Sequence, residues 1–201
     1  PAKQKNAPIA MVLHPHPQFR GNMNHPIVYQ VYYAFVARGF SVLRFNFRGV
    51  GRSQGSFDHG QGELSDAASA LDWAQSINPE ARSCWIAGFS FGAWIGMQLL
   101  MRRPEISGFI SIAPPANLFD FSFLAPCPSS GLIVHGTADE VVPSESVQKL
   151  VDKLLKQPGF ADRWTVFLAD LFRIRSNADG SCCFPSGSPS SFEHLFEHRQ
   201  R

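Results

Sequence analysis

Gly88-Phe89-Ser90-Phe91-Gly92 lies between a short apolar run, Cys84-Trp85-Ile86-Ala87, and an apolar segment of helical character, Ala93 to Met101. A chain that must pass from strand to helix within five residues, with serine at the centre, has few ways to do so. Only glycine fits beside the serine in so sharp a turn, and the hydroxyl is pushed out at the strand's carboxyl end. A serine held like this has what a nucleophile needs: exposure, fixed geometry and a neighbouring backbone amide to hold an oxyanion. The plainer reading of the same residues is a glycine-rich turn whose serine caps the following helix.

The rest of the chain repeats the strand-then-helix pattern. Ile9 to Leu13 has the length of a buried strand. His25-Pro26 opens a helix, with proline in its first turn and Gly39 just past its end. Phe40 to Phe47 reads as a strand, and a glycine-rich loop follows from Arg48 to Gly62. Glu63 to Ile77 is helical, since Leu64, Ala67, Ala68, Leu71 and Ala74 recur at helical spacing and Pro79 ends the run. After the serine turn and its helix come strands at Phe109 to Ala113 and Gly131 to His135. An amphipathic helix over Ser144 to Lys156 and a last strand at Trp164 to Leu168 complete the pattern. Short apolar strands alternating with helices predict an α/β fold, a doubly wound, mostly parallel sheet with helices on both faces. Such sheets bind ligands outside the carboxyl ends of their strands. Residues 1–171 are expected to form one domain. Residues 172–201, rich in serine with glycine, proline and cysteine, read as an atypical, poorly ordered tail.

Composition narrows the partners. A net charge of +2 with no basic cluster argues against nucleic acid and anionic lipid. No apolar run is long enough to span a bilayer, and Pro1 to Pro8 is too polar for a secretory signal. Cys84, Cys127, Cys182 and Cys183 lack C-x-x-C spacing and read as reduced thiols of a cytoplasmic protein. His14 and His16 lack the further ligands of a zinc site, so no metal and no cofactor is expected. Gly49, Gly51 and Gly55 fit neither the dinucleotide nor the phosphate-loop spacing and are read as a structural turn.

Several runs in order carry a family resemblance: His14-Pro15-His16-Pro17, Arg44 to Gly49, Gly55 to Gly60, the serine turn, Ala113-Pro114-Pro115, and His135-Gly136-Thr137-Ala138-Asp139-Glu140-Val141-Val142-Pro143. Over about residues 8–157 the chain resembles the α/β-hydrolase superfamily, and within it the small lidless bacterial hydrolases related to the dienelactone hydrolases, of serine esterase type. The resemblance implies Ser90 as nucleophile and Asp139 as the acid that would orient an imidazole, in the order serine, acid, histidine. Asp139 also reads as a helix-capping residue, and Asp120 is a rival acid on a different loop. The oxyanion hole would use the Phe91 amide and one from His14 to Gln18. Pro15 and Pro17 carry no N–H, which leaves His16 or Gln18, and His16 is preferred. His59, beside Asp58, is expected to pin its loop. Phe19, Phe89, Phe91, Trp94 and Phe121 to Phe123 are expected mostly in the core, with some flanking Ser90 as an apolar pocket.

The third member of the triad is absent from its implied place. The family's histidine follows the last strand, where this chain has Ala169-Asp170-Leu171-Phe172, and only His194 and His198 lie further on. The family also has strands before the one at Ile9. Two accounts of the ending are open: the tail folds back to present a histidine, His194 being the better placed, or the reading frame is displaced near residue 165. The expectation is a serine-dependent carboxylesterase that acts on small-molecule, apolar esters through an acyl-enzyme. The alternative is a hydrolase-shaped binding module with weak or no catalysis. Sequence is silent on oligomeric state.

Overall fold

The computed structural model describes residues 6–124, 127 and 129–156, together with the backbone of 175–176 and 182–183. Two compact units divide the chain, Pro1–Leu155 and Lys156–Arg201. In the second, β6 (Arg175–Ser176) and β7 (Cys182–Cys183) pair antiparallel. The boundary expected at 171/172, the strand at Trp164 to Leu168, Leu171, His194 and His198 all lie outside the described residues.

The first unit is a five-stranded sheet in the order β2-β1-β3-β4-β5, every pair parallel. Its strands are β1 (Ile9–Leu13), β2 (Ser41–Arg44), β3 (Cys84–Phe89), β4 (Ile106–Ile112) and β5 (Gly131–Val134). Its helices are α1 (Pro26–Ala37), α2 (Gln61–Ser76), α3 (Phe91–Arg102) and α4 (Ser144–Leu155). All five residues of β1 are buried, as the uninterrupted run Ile-Ala-Met-Val-Leu requires of a strand covered on both faces. Val28 and Phe35 of α1 pack with Ala10, Val12 and Ala87 on one face. Leu64 and Leu71 of α2, with Phe91 and Ile95 of α3, pack with Met11, Leu13 and Ile86 on the other. The doubly wound expectation therefore holds. The chain leaves β1 sideways to β2 and returns to β3 on β1's other flank. Loops at the ends of β1 and β3 thus part toward opposite faces, and the crevice between them is where open α/β sheets bind ligands.

The structure differs from the expected strands by more than one residue at the end of β2 and the start of β4. β2 stops at Arg44, not Phe47, because the Phe47 amide leaves the ladder and donates to the buried imidazole of His14 (3.0 Å). β4 starts earlier, at Ile106, with a register irregularity opposite Cys84/Trp85. No helix among the described residues is long and apolar enough to cross a membrane.

The loop expected over Arg48 to Gly62 ends at Gly60, which caps α2. Arg48 grips Asp66 with two guanidinium nitrogens (2.9 and 2.7 Å), and Glu63, wholly buried, accepts from the amides of Asp58 (2.9 Å) and Gly60 (2.8 Å). Gly49, Gly51, Gly55 and Gly60 all take positive φ, which accounts for the glycines without a phosphate. His59 is exposed at φ 50° and its ring lies 5.0 Å from that of Phe57. Replacing Glu63 by alanine strands the buried amide of Gly60, at a cost of about 1–3 kcal/mol, and frees the half-buried amide of Asp58. Urea unfolding of Glu63→Ala should therefore show a lower midpoint at unchanged slope, equivalent to a loss of at least about 1 kcal/mol of stability. An unchanged midpoint contradicts this role for Glu63.

Candidate active site

Ser90 stands at the junction of β3 and α3 with φ 54° and ψ −119°, a backbone conformation that a side-chain-bearing residue rarely adopts. Both flanking glycines are needed for steric reasons. A Cβ on Gly88 would lie 2.2 Å from the Gly92 carbonyl oxygen, and one on Gly92 would lie 2.5 Å from Leu13 O and 2.6 Å from His14 O. The Ser90 amide donates to Ile112 O (2.9 Å) and its carbonyl accepts from Ala93 N (2.8 Å), which anchors the turn to β4 and to α3. Its side chain makes no helix-capping hydrogen bond. The plainer reading of this serine as a cap is therefore not what the geometry shows. The Phe91 amide opens the helix, and the first amides of any helix have no partner within it.

The loop after β1 crosses beside this turn. The His16 ring lies 4.9 Å from that of Phe91 and 4.8 Å from that of Phe57. The two amides that the family resemblance implicates, Phe91 and His16, are thus on neighbouring segments. The rival donor, the Gln18 amide, is already bonded to Nδ1 of His16 (3.2 Å). Phe91 is buried against Phe47, Trp94 and Phe119, and Phe121 is buried too, as expected of core aromatics. Phe19 is 81% exposed at the edge of the site, its ring 4.9 Å from that of His16.

Asp139 follows β5 and is half-buried. Its Oδ1 accepts from the amides of Val141 and Val142, both at 2.9 Å, which shapes the turn before α4 and leaves Oδ2 without a hydrogen bond among the described residues. The loop-shaping and imidazole-orienting readings of Asp139 thus use different oxygens. β4 separates Asp139's strand from that of Ser90, about 10 Å of lateral spacing. The Asn117 side chain ties the loop after β4 to Val141 O (3.1 Å). Asp120 is spent locally: its carboxylate accepts from the Ser122 amide (2.7 Å), and Ser122 holds its pKa below the ordinary value. No imidazole is hydrogen-bonded to Ser90 or Asp139 among the described residues.

Sequence reading misses what His14 does. It is wholly buried, with Nε2 accepting from Phe47 N (3.0 Å) and Nδ1 against Pro15 O (2.6 Å). Both nitrogens are thereby committed, so His14 and His16 cannot pair on a metal. An amide N–H donates to Nε2, so the ring is neutral and carries its proton on Nδ1. The only hint in the sequence is a histidine directly after a buried strand. Burial pushes the imidazole down to about 4 from its ordinary 6.5; the Pro15 hydrogen bond acts in the opposite direction, and His25 adds to the lowering. A folded-state pKa below the unfolded one means that the unfolded chain takes up the proton first. Stability is therefore full above pH 6.5 and eroded as pH falls toward 4, by about 3 kcal/mol in total. Urea unfolding at pH 7 and pH 4.5 should show wild type losing about 2 kcal/mol more than His14→Gln across that interval. Equal losses contradict a neutral buried His14.

Comparison with known proteins places this geometry. A family model described as X-Pro dipeptidyl-peptidase (S15 family) matches residues 1–125. The uncharacterized protein RP471 of Rickettsia prowazekii (strain Madrid E) is 57% identical over 159 residues, 78% of this chain and 67% of that protein. Among solved structures, ATU1826 from Agrobacterium tumefaciens, an α/β-hydrolase candidate, superposes with a TM-score of 0.77 at 70% identity, covering 79% of this chain and 72% of that one. XC6422 from Xanthomonas campestris, an α/β serine hydrolase without a lid, gives 0.70 at 37% identity, with 76% and 72% covered. The chain belongs to the S15 family of the α/β-hydrolase superfamily and is a serine hydrolase akin to its lidless members.

Proposed function

We propose that the chain hydrolyses carboxylic esters through an acyl-enzyme on Ser90. The observation that carries this is Ser90 itself: a strained backbone at the head of α3, the geometry of a nucleophile elbow, with a hydroxyl that no cap employs. Ser90 Oγ would attack the ester carbonyl carbon, its proton passing to a base. The resulting oxyanion would sit on the Phe91 and His16 amides, and collapse would break the ester C–O bond and release the alcohol with that proton. Water, deprotonated by the same base, would then cleave the acyl-serine. A neutral serine hydroxyl is a poor nucleophile, so a base matters. We assign it to His194, in Phe192-Glu193-His194-Leu195-Phe196, with Asp139 Oδ2 to orient it. An apolar ester is favoured by the exposed Phe19, beside the His16 loop, and by Leu118, 63% exposed on the loop after β4.

One observation favours a second reading. Ser90 has no imidazole partner among the described residues, which suits a hydrolase-shaped binding module. Hydrolysis of short-chain p-nitrophenyl esters separates the two. Wild type should turn over, and Ser90→Ala should fall to the buffer rate. Equal rates would overturn the esterase reading. Against wild type, His194→Ala should lower kcat/KM by more than tenfold, above about 1.4 kcal/mol of transition-state stabilisation, and His198→Ala by less. A tenfold or smaller change for both removes a tail histidine from the base role.

A further inference from the structure

We propose that His14 is a positioning residue for the oxyanion hole: its Nδ1–H on the Pro15 carbonyl fixes the direction of the His16 amide. This rests on the esterase reading above and on His16 as the second oxyanion donor. The Pro15 carbonyl and the His16 N–H belong to one peptide group, and in a trans peptide they point in opposite directions. Holding the oxygen against the buried imidazole (2.6 Å) therefore turns the N–H away from the imidazole and out of the core. The other side of His16 is held too, because its carbonyl accepts from Phe19 N (3.1 Å) and Gly21 N (3.0 Å). With both neighbouring carbonyls committed, the His16 N–H has little freedom to rotate. It has no acceptor of its own among the described residues.

The imidazole is anchored in turn. Phe47 N donates to its Nε2 from the end of β2, so the ring cannot swing, and the Phe47 ring lies 4.6 Å from it. Gly21 makes room for the arrangement, since a Cβ there would fall 2.1 Å from Pro15 O. Gly92 does the same from the other side, bringing the first turn of α3 against the carbonyl of His14 itself. One buried side chain thus ties two strand ends together where two oxyanion donors must stand in register. A purely structural role would need only the Phe47 bond. A role in catalysis needs the Pro15 bond.

The two bonds can be separated chemically. In His14→Asn the carboxamide nitrogen lies as many bonds from Cβ as Nδ1, so it can donate to Pro15 O but has no atom at the Nε2 position. In His14→Gln the polar atoms lie at the Nε2 position, able to accept from Phe47 N but not placed for Pro15 O. On p-nitrophenyl esters, His14→Asn should keep kcat within about tenfold of wild type. His14→Gln and His14→Leu should lose about 10²–10³ in kcat with KM little changed, the loss typical of one oxyanion donor. Inhibition by a trifluoromethyl ketone, which forms a tetrahedral adduct, should weaken in the same order. If Asn and Gln lose equally, or if Asn loses more, the positioning role is wrong. Wild type equal to Ser90→Ala would instead remove the esterase reading beneath it. Should the variants not fold, imidazole ¹⁵N NMR of wild type decides. Nδ1 protonated and Nε2 bare is required, and the reverse tautomer overturns the proposal.

Discussion

The carboxyl end of the sheet depends on how closely α3 approaches β1 and β3. Gly88 touches the first turn of α3 within its own turn, and Gly92 presses that turn onto the carbonyls of Leu13 and His14. No other residue fits at either position without moving backbone. Between them Ser90 is held at positive φ, a strain of about 1–3 kcal/mol that persists only where surrounding contacts enforce it. The hydrogen bond from Ser90 N to Ile112 O and the buried faces of Phe91 and Ile95 enforce it here. The uncapped serine at the strand's carboxyl end and the unpaired amides of the first helical turn are consequences of this packing.

Around that contact, the loops over β1, β2 and β3 are fastened by buried or half-buried polar groups whose partners are in place. Glu63 closes the turn at Asp58 and Gly60, Arg48 and Asp66 close the loop after β2, and His14 joins two strand ends. Satisfied buried groups of this kind rigidify a site, because any displacement leaves a donor or acceptor dry. The β4–β5 side differs. Ser111 Oγ, both ring nitrogens of His135 and Gln98 Nε2 are buried without hydrogen-bond partners among the described residues. His135 follows β5 directly, ahead of the loop carrying Asp139.

Much of this fold is legible in the sequence because its signals are local. The run Ile9–Leu13, Pro26 with Gly39 around α1, and the apolar spacing of α2 each declare an element from within. The serine turn is legible for the same reason, since two glycines at fixed offsets are a steric requirement of one short segment. What is not legible is long-range. β2 ends early because of a histidine thirty-three residues before Phe47, and β4 starts early because Ile106 already pairs with Cys84 of β3, ahead of a register shift. The role of His14 is invisible for this reason as well: nothing near it in sequence says that its two nitrogens will be taken by different loops. Asp139 sits between these cases, because its bonds to Val141 and Val142 are local while any imidazole it orients must come from a distant segment.

The central claim is that packing at this junction positions Ser90 as a nucleophile for a base to activate. Intact-protein mass spectrometry after treatment with a fluorophosphonate tests it most directly, because the reagent reports nucleophilicity without assuming any ester. The account predicts a single phosphonyl adduct on wild type, mapped to Ser90 by peptide analysis and absent from Ser90→Ala. A folded wild-type chain that takes up no adduct, or takes it up elsewhere, would contradict it.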